Sequence, residues 1–203
     1  YVLMGDYFQK YFSVSKKKDP KNIITNLYKV PKRDRGDEMP KFQVPKAGHI
    51  QQADLLTLPS DEGYKYALVV VDDSSKITDA EPLKNKSSVD VLEAFKKIYA
   101  RNIIKIPKRI EFDSGSEFKG VVANFFRDNS VDIRIANPSR HRQQAIVERR
   151  NQIIGKALFK RMAAQEVLTG QPSTEWIEDL PQLIKAMNSR TKKILQGLLL
   201  FFI

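Results

Sequence analysis

Residues 53–83, ADLLTLPSDEGYKYALVVVDDSSKITDAEPL, decide the fold, because three apolar runs follow one another within them. Ala53 to Leu58 reads as a first strand, Tyr64 to Asp72 as a second and Ile77 to Leu83 as a third. Downstream, Ser87 or Ser88 caps a helix reaching about Ala100, with Val91, Leu92, Phe95, Ile98 and Tyr99 on its apolar side. Arg109 to Asp113 predicts a fourth strand, Glu117 to Asn129 a helix and Val131 to Ala136 a fifth strand. A long helix is expected from about Gln144, with Ile146, Val147, Ile153, Ile154, Ala157, Leu158 and Met162 forming a buried face. A last helix is expected from about Thr174, carrying Trp176, Ile177, Leu180, Leu183, Ile184 and Met187 at helical spacing. Three meander-like strands followed by alternating helices and strands imply an α/β fold, a five-stranded mixed sheet flanked by helices.

Three acids sit at places where this layout gives them chemistry. Asp54 lies near the start of the first strand, Asp113 ends the fourth, and Glu148 falls in the first turns of the long helix, from which it can project toward the two strand acids. Transferring or hydrolysing a phosphodiester takes two divalent cations about 3.5 to 4 Å apart, one activating the attacking oxygen and one stabilising the leaving oxygen. Magnesium takes hard oxygen ligands and keeps several waters, so three carboxylates from distant parts of a chain suffice, with no histidine or cysteine.

The motifs around these acids resemble those of the retroviral-type integrase core, and most closely those of integrases from Maverick/Polinton transposons and related DNA viruses. Asp113-Ser114-Gly115-Ser116-Glu117-Phe118 and Val147-Glu148-Arg149-Arg150-Asn151 are similar to the segments bearing that family's second and third acids. His49 to Leu55 is similar to its histidine, tryptophan-glutamine-alanine-aspartate-leucine signature, and Tyr66 to Lys76 resembles its second strand. Leu83-Lys84-Asn85-Lys86 resembles the turn into its first helix, and Asn188 to Gly197 the end of its core. Gln51 stands where that family usually has tryptophan, Ser74 where it has an aromatic, and Phe112 where a small hydroxyl residue usually precedes the second acid. Gln152 and Gly155 occupy helix positions where relatives commonly carry basic residues, and Lys156 is displaced by one.

The resemblance implies an RNase H-like fold and a polynucleotidyl transferase. Asp54, Asp113 and Glu148 would be both the catalytic residues and the ligands of two Mg²⁺ or Mn²⁺ ions, Asp54 bridging both. The activity implied is 3′-end processing of element DNA and its strand transfer into target DNA, by a homo-oligomer on DNA. Arg140, Arg142, Gln144, Arg149, Asn151 and Lys156 are the expected DNA-binding residues, Arg140 and Arg142 lying in the polar segment 137–143 that precedes the helix of Glu148. His141 lies there too, but the two-metal reaction does not require it.

Composition agrees with a nucleic-acid partner. The chain has 203 residues, a net charge of +11 and 35 lysines and arginines against 24 acids. Such a field steers a protein toward polyanions. Lys96, Lys97, Arg101, Lys105, Lys108 and Arg109 have no acid among them in sequence, and Arg140, Arg142, Arg149, Arg150, Lys156, Lys160 and Arg161 surround Glu148. With no cysteine and two histidines the sequence excludes disulfides, thiolate chemistry and a zinc finger of its own.

Residues 1–47 read as an aromatic-rich remnant and a basic, proline-broken linker, 48–193 as the catalytic core, and 194–203 as an apolar tail of truncated character. The tail is far shorter than the roughly 20 residues that span a bilayer, and no signal peptide is visible. In a eukaryotic host the expected place of action is the nucleus. Asp72 and Asp73, which end the second strand, are expected to satisfy a turn, and Glu111 to face outward. Two other readings compete: a metal-dependent nuclease of the same fold that cuts without joining, and a catalytically decayed descendant that only binds DNA.

Overall fold

The computed structural model describes residues 46–136 and 144–200, with side chains given through Lys192. All of these lie in the unit Gln43–Ile203. Five strands, β1 (Ile50–Asp61), β2 (Tyr64–Asp72), β3 (Thr78–Leu83), β4 (Arg109–Phe112) and β5 (Asp132–Ile135), form one sheet in the order β3-β2-β1-β4-β5. The first three pair antiparallel, whereas β4 runs parallel to β1 and β5 parallel to β4. Four helices complete the fold: α1 (Ser88–Ala100), α2 (Val121–Asp128), α3 (Ala145–Thr169) and α4 (Asp179–Leu200).

The centre of the sheet is covered on both sides, which explains why Ala67 to Val71 is apolar without a break. Leu68 and Val70 join Ala53, Ile110, Phe95, Phe118 and Phe126 in a core beneath α1 and α2. Ala67, Val69 and Val71 face the other way, onto Val147, Ile154 and Leu158 of α3 and Leu180 and Ile184 of α4. Side-chain alternation along β1 follows the same division, so Gln52, Asp54 and Leu56 all face α3.

Three departures from the sequence reading have local causes. The expected helix from Glu117 is a 3₁₀ turn, Ser116–Phe118, then a break before α2. Gly120 makes that break with φ of 61°, while Phe118 stacks on Phe112 with ring centroids 4.8 Å apart. The last helix begins at Asp179 rather than Thr174 because Asp61 captures the preceding chain. Its Oδ2 accepts the backbone N–H of Trp176 at 2.7 Å and of Ile177 at 2.9 Å, and the Trp176 indole N–H donates to the carbonyl of Pro59 at 2.8 Å. Most of the stretch read as an apolar tail continues α4, which runs through Leu200.

The substitutions against the family pattern are accommodated. Gln51 is fully buried, its Nε2 donating to the carbonyl of Lys105 at 2.7 Å and its Oε1 accepting from the Tyr99 hydroxyl at 3.0 Å. A tryptophan there would bring greater apolar bulk, whereas the amide ties β1 to the segment after α1. Among the described residues, no helix is long and apolar enough to cross a membrane.

Candidate active site

Helix α3 lies on β1 nearly residue for residue. Two strand residues advance about 6.7 Å and four helical residues about 6 Å, so the pairs stay matched along the contact. Gln52 Oε1 accepts the Val147 backbone N–H at 3.2 Å, the Asn151 amide donates to Asp54 Oδ2 at 2.8 Å, and Gly155 lies over Leu56. Glu148, exposed in the first turn of α3, therefore stands close to Asp54. On the other side of Asp54 the parallel pairing of Gln52 with Glu111 places Asp113, which follows β4, beside Asp54.

The structure thus puts Asp54 within the electrostatic field of both Asp113 and Glu148. Burial, reinforced by the charges of Asp113 and Glu148, pushes the Asp54 carboxyl up to about 6, against hydrogen bonds from the Leu55 backbone N–H and Asn151. Among the described residues no cation acts on Asp54 to offset those two charges. Hard oxygen donors with uncompensated mutual repulsion suit a divalent cation. The three carboxylates are not closed around one point, for among the described residues no group of three or more acids or histidines is arranged to hold a metal ion.

Beside them, Asp113 Oδ1 accepts the Gly115 backbone N–H at 2.9 Å. A Cβ at Gly115 would come within 2.8 Å of Asp113 Oδ1 and 2.6 Å of the Glu117 carboxylate, so only glycine leaves both carboxylates in place. Glu117 shares this corner with Asp113 rather than simply opening a helix.

The expected DNA-binding residues divide. Arg149 and Lys156 are exposed, with no ion-pair partner among the described residues. Asn151 is buried and committed to Asp54, which corrects its assignment to a DNA-facing position: at this turn of α3 the exposed side belongs to its neighbours. Gln144 is half-buried ahead of α3, with its amide nitrogen buried and without a partner among the described residues. Arg140, Arg142 and His141 lie outside the described residues. Four residues of the first basic cluster are paired with acids, one nearby on α1 and the others distant in sequence. Lys97 and Arg101 meet Glu81, Arg101 also meets Asp79, Lys96 meets Glu93, and Arg109 meets Asp132.

A polar layer that the sequence reading missed lies next to the acids. Glu111, expected outside, is buried, where its carboxylate accepts from Arg134 at 3.2 Å. Asp72 does satisfy its turn, accepting from Gly48 N–H at 2.5 Å and from both the backbone N–H and hydroxyl of Ser75 at 2.7 Å. Asp73 is buried with Oδ1 unpartnered among the described residues, and burial, with the charges of Glu111 and Asp72, pushes its carboxyl up to about 7 despite Lys76 and the Gln52 amide. Lys76 donates to the Asp73 carbonyl, and Arg150 of α3 donates to the Lys76 carbonyl at 2.7 Å. In sequence these acids read as turn or outward-facing positions, and only the tertiary partners reveal what they hold.

A mixed sheet in this strand order, with one acid within β1, a second just after the neighbouring parallel β4 and a third on the helix above, defines the RNase H-like class of fold. Residues 44–141 match the integrase core domain family, a stretch that takes in Asp54 and Asp113 and ends before Glu148. The Pro-Pol polyprotein of feline foamy virus is 28% identical over 133 residues, which is 65% of this chain and 11% of that polyprotein. A chain of the simian T-cell lymphotropic virus intasome, solved in complex with PP2A regulatory subunit B56 gamma, superposes with a TM-score of 0.51 at 20% identity. That alignment covers 62% of this chain and 48% of the other. The HTLV-2 integrase catalytic core domain in complex with magnesium gives a TM-score of 0.47 at 24% identity, over 58% of this chain and 73% of that one. By the family match and the polyprotein relative, the chain is similar to retroviral-type integrase cores. The five-stranded mixed sheet flanked by helices is the fold of such cores.

Proposed function

We propose that this chain is the catalytic core of a DNA integrase, related to those of Maverick/Polinton elements, which trims the 3′ ends of element DNA and joins them to target DNA. The observation that supports the reading is that the charges of Asp113 and Glu148 both act on Asp54, whose carboxyl is raised to about 6 by burial first and then by those charges. These three residues would hold two Mg²⁺ or Mn²⁺ ions; bound there, the ions supply activation of the attacking oxygen and stabilisation of the leaving oxygen.

The chain's own residues do the rest. The Asn151 amide fixes the Asp54 carboxylate through Oδ2 while the Leu55 N–H fixes Oδ1. The Gly115 N–H holds Asp113, and Gly115 keeps the space between Asp113 and Glu117 clear. Arg149 and Lys156 present charge to the phosphate backbone on the outer side of α3. Joining two DNA ends calls for a homo-oligomer on DNA, and in a eukaryotic host the place of action is the nucleus.

A labelled duplex with candidate element ends, incubated with plasmid and Mg²⁺ or Mn²⁺, tests this. Metal-dependent joined product that is lost in Glu148→Gln is expected. Cleavage without joining would replace integrase with nuclease, and DNA binding with neither activity would leave a decayed core.

A further inference from the structure

We propose that Gln52 is a positioning residue that sets the three acids in register with one another, an inference that rests on the function proposed above. Gln52 is 3% exposed and stands on β1 two residues before Asp54, on the same side of the strand. Its Oε1 accepts the N–H of Val147, the residue before Glu148. Its Nε2 donates to Asp73 Oδ2 at 3.3 Å and reaches Glu111 Oε2 at 3.5 Å, Glu111 being its parallel partner and two residues before Asp113. One side chain therefore touches, or belongs to, each of the three segments that carry an acid.

The chemistry calls for an amide. Val147 N–H is among the first four of α3, which lack a partner within the helix and need an acceptor. The two carboxylates of Asp73 and Glu111 need donors. Only an amide supplies an acceptor and two donors on one flat group. A carboxylate at 52 would add a third buried negative charge, and an aliphatic chain would leave Val147 N–H and both acids short of a partner. Because the bonds run in three directions, a shift of α3 along β1 breaks the one to Val147, and a slip of β4 against β1 breaks the one to Glu111. The separation of Glu148 from Asp54, and of Asp54 from Asp113, is thus tied to one residue that itself touches no substrate.

Gln52→Met, which keeps the volume and removes the bonds, should be compared with Asn188→Leu, which removes an equally buried amide that bonds both the N–H and the carbonyl of Thr78. Three readouts are taken: the rise in melting temperature on adding millimolar Mn²⁺ and, below both melting temperatures, amide exchange at Val147 and the turnover and KM of DNA cleavage and joining. In Gln52→Met the Val147 amide is expected to exchange about tenfold faster or more. The Mn²⁺ shift should shrink by more than about half, and turnover should fall about thirtyfold with KM changed less than about threefold. Asn188→Leu should keep all three within about twofold of the parent.

The proposal is overturned if Gln52→Met retains the Mn²⁺ shift and turnover of Asn188→Leu. Should Gln52→Met fail to fold, Gln52→Glu decides the question, since it keeps the Val147 acceptor and loses the donor to Glu111. A reduced Mn²⁺ shift with Val147 still protected supports the proposal, and an unchanged shift overturns it. If the parent protein gains nothing from Mn²⁺ and leaves DNA untouched, the assignment of the three acids falls, and the role of Gln52 with it. That result is distinct from a responsive parent matched by an equally responsive Gln52→Met.

Discussion

Asn151 shows how a residue's task depends on which side of a helix its neighbours occupy. In sequence it stands with Arg149 and Arg150 as one of three polar residues, whereas the fold turns it inward onto Asp54. A hydrogen bond to a charged carboxylate contributes about 1.5–3 kcal/mol. Asn151→Ala is therefore expected to lower DNA cleavage and joining about 10- to 100-fold and the melting temperature by roughly 3–12 °C, read by parallel kinetics and calorimetry. Asp73 allows a prediction with pH. Its carboxyl is raised to about 7 from an ordinary 3.8, so between those values the folded chain keeps a proton that the unfolded chain has shed. Stability from this group is highest at low pH and is lost as pH rises through about 7. Thermal melts at pH 5 and pH 8 should show a drop for the parent protein that narrows in Asp73→Asn, leaving the same-sign contribution of Asp54. The three acids can be nominated from sequence because each has a recognisable neighbourhood. Gln52, Asn151 and Glu111 are not, because a buried polar residue is explained only by a partner that sequence distance conceals.

At the level of elements, β2 runs from Tyr64 to Asp72 and α1 from a capping Ser87 to Ala100, as their apolar spacing indicates. Boundaries fail where a tertiary bond takes over: the Asp61 carboxylate delays α4, and the stacking of Phe118 on Phe112 shortens α2. Gly155, which in isolation argues against a stable α3, sits in the buried face over Leu56. An added Cβ would meet only Leu56 Cδ1, at 3.8 Å, an ordinary contact. Gly155→Ala is expected to stabilise the protein by about 0.5–1 kcal/mol, a gain of about 1–4 °C in melting temperature. A fall in melting temperature would mean that α3 and β1 lie closer than described here.

Across the whole molecule the net charge of +11 is a poor guide to where DNA binds. The basic run that includes Lys97 and Arg101 draws in Glu81 and Asp79 from β3, an arrangement that sequence spacing does not show. Arg149 and Lys156 remain exposed beside the candidate site. Replacing either with alanine should weaken DNA binding and reduce the slope of log affinity against log salt by about 1, as expected for one lost phosphate contact. Lys97→Ala should change that slope by far less, and titrations by fluorescence anisotropy at several salt concentrations separate the two cases.

Trp176 is the sole tryptophan of the chain, buried to 1% exposure and fastened through its indole to Pro59 at the far end of β1. The indole emission of this protein, excited beyond the absorption of its seven tyrosines, is therefore an optical gauge of a single joint, the one that docks the approach to α4 onto the sheet. A red shift that precedes loss of helical circular dichroism would show that joint opening on its own, without any label having been attached.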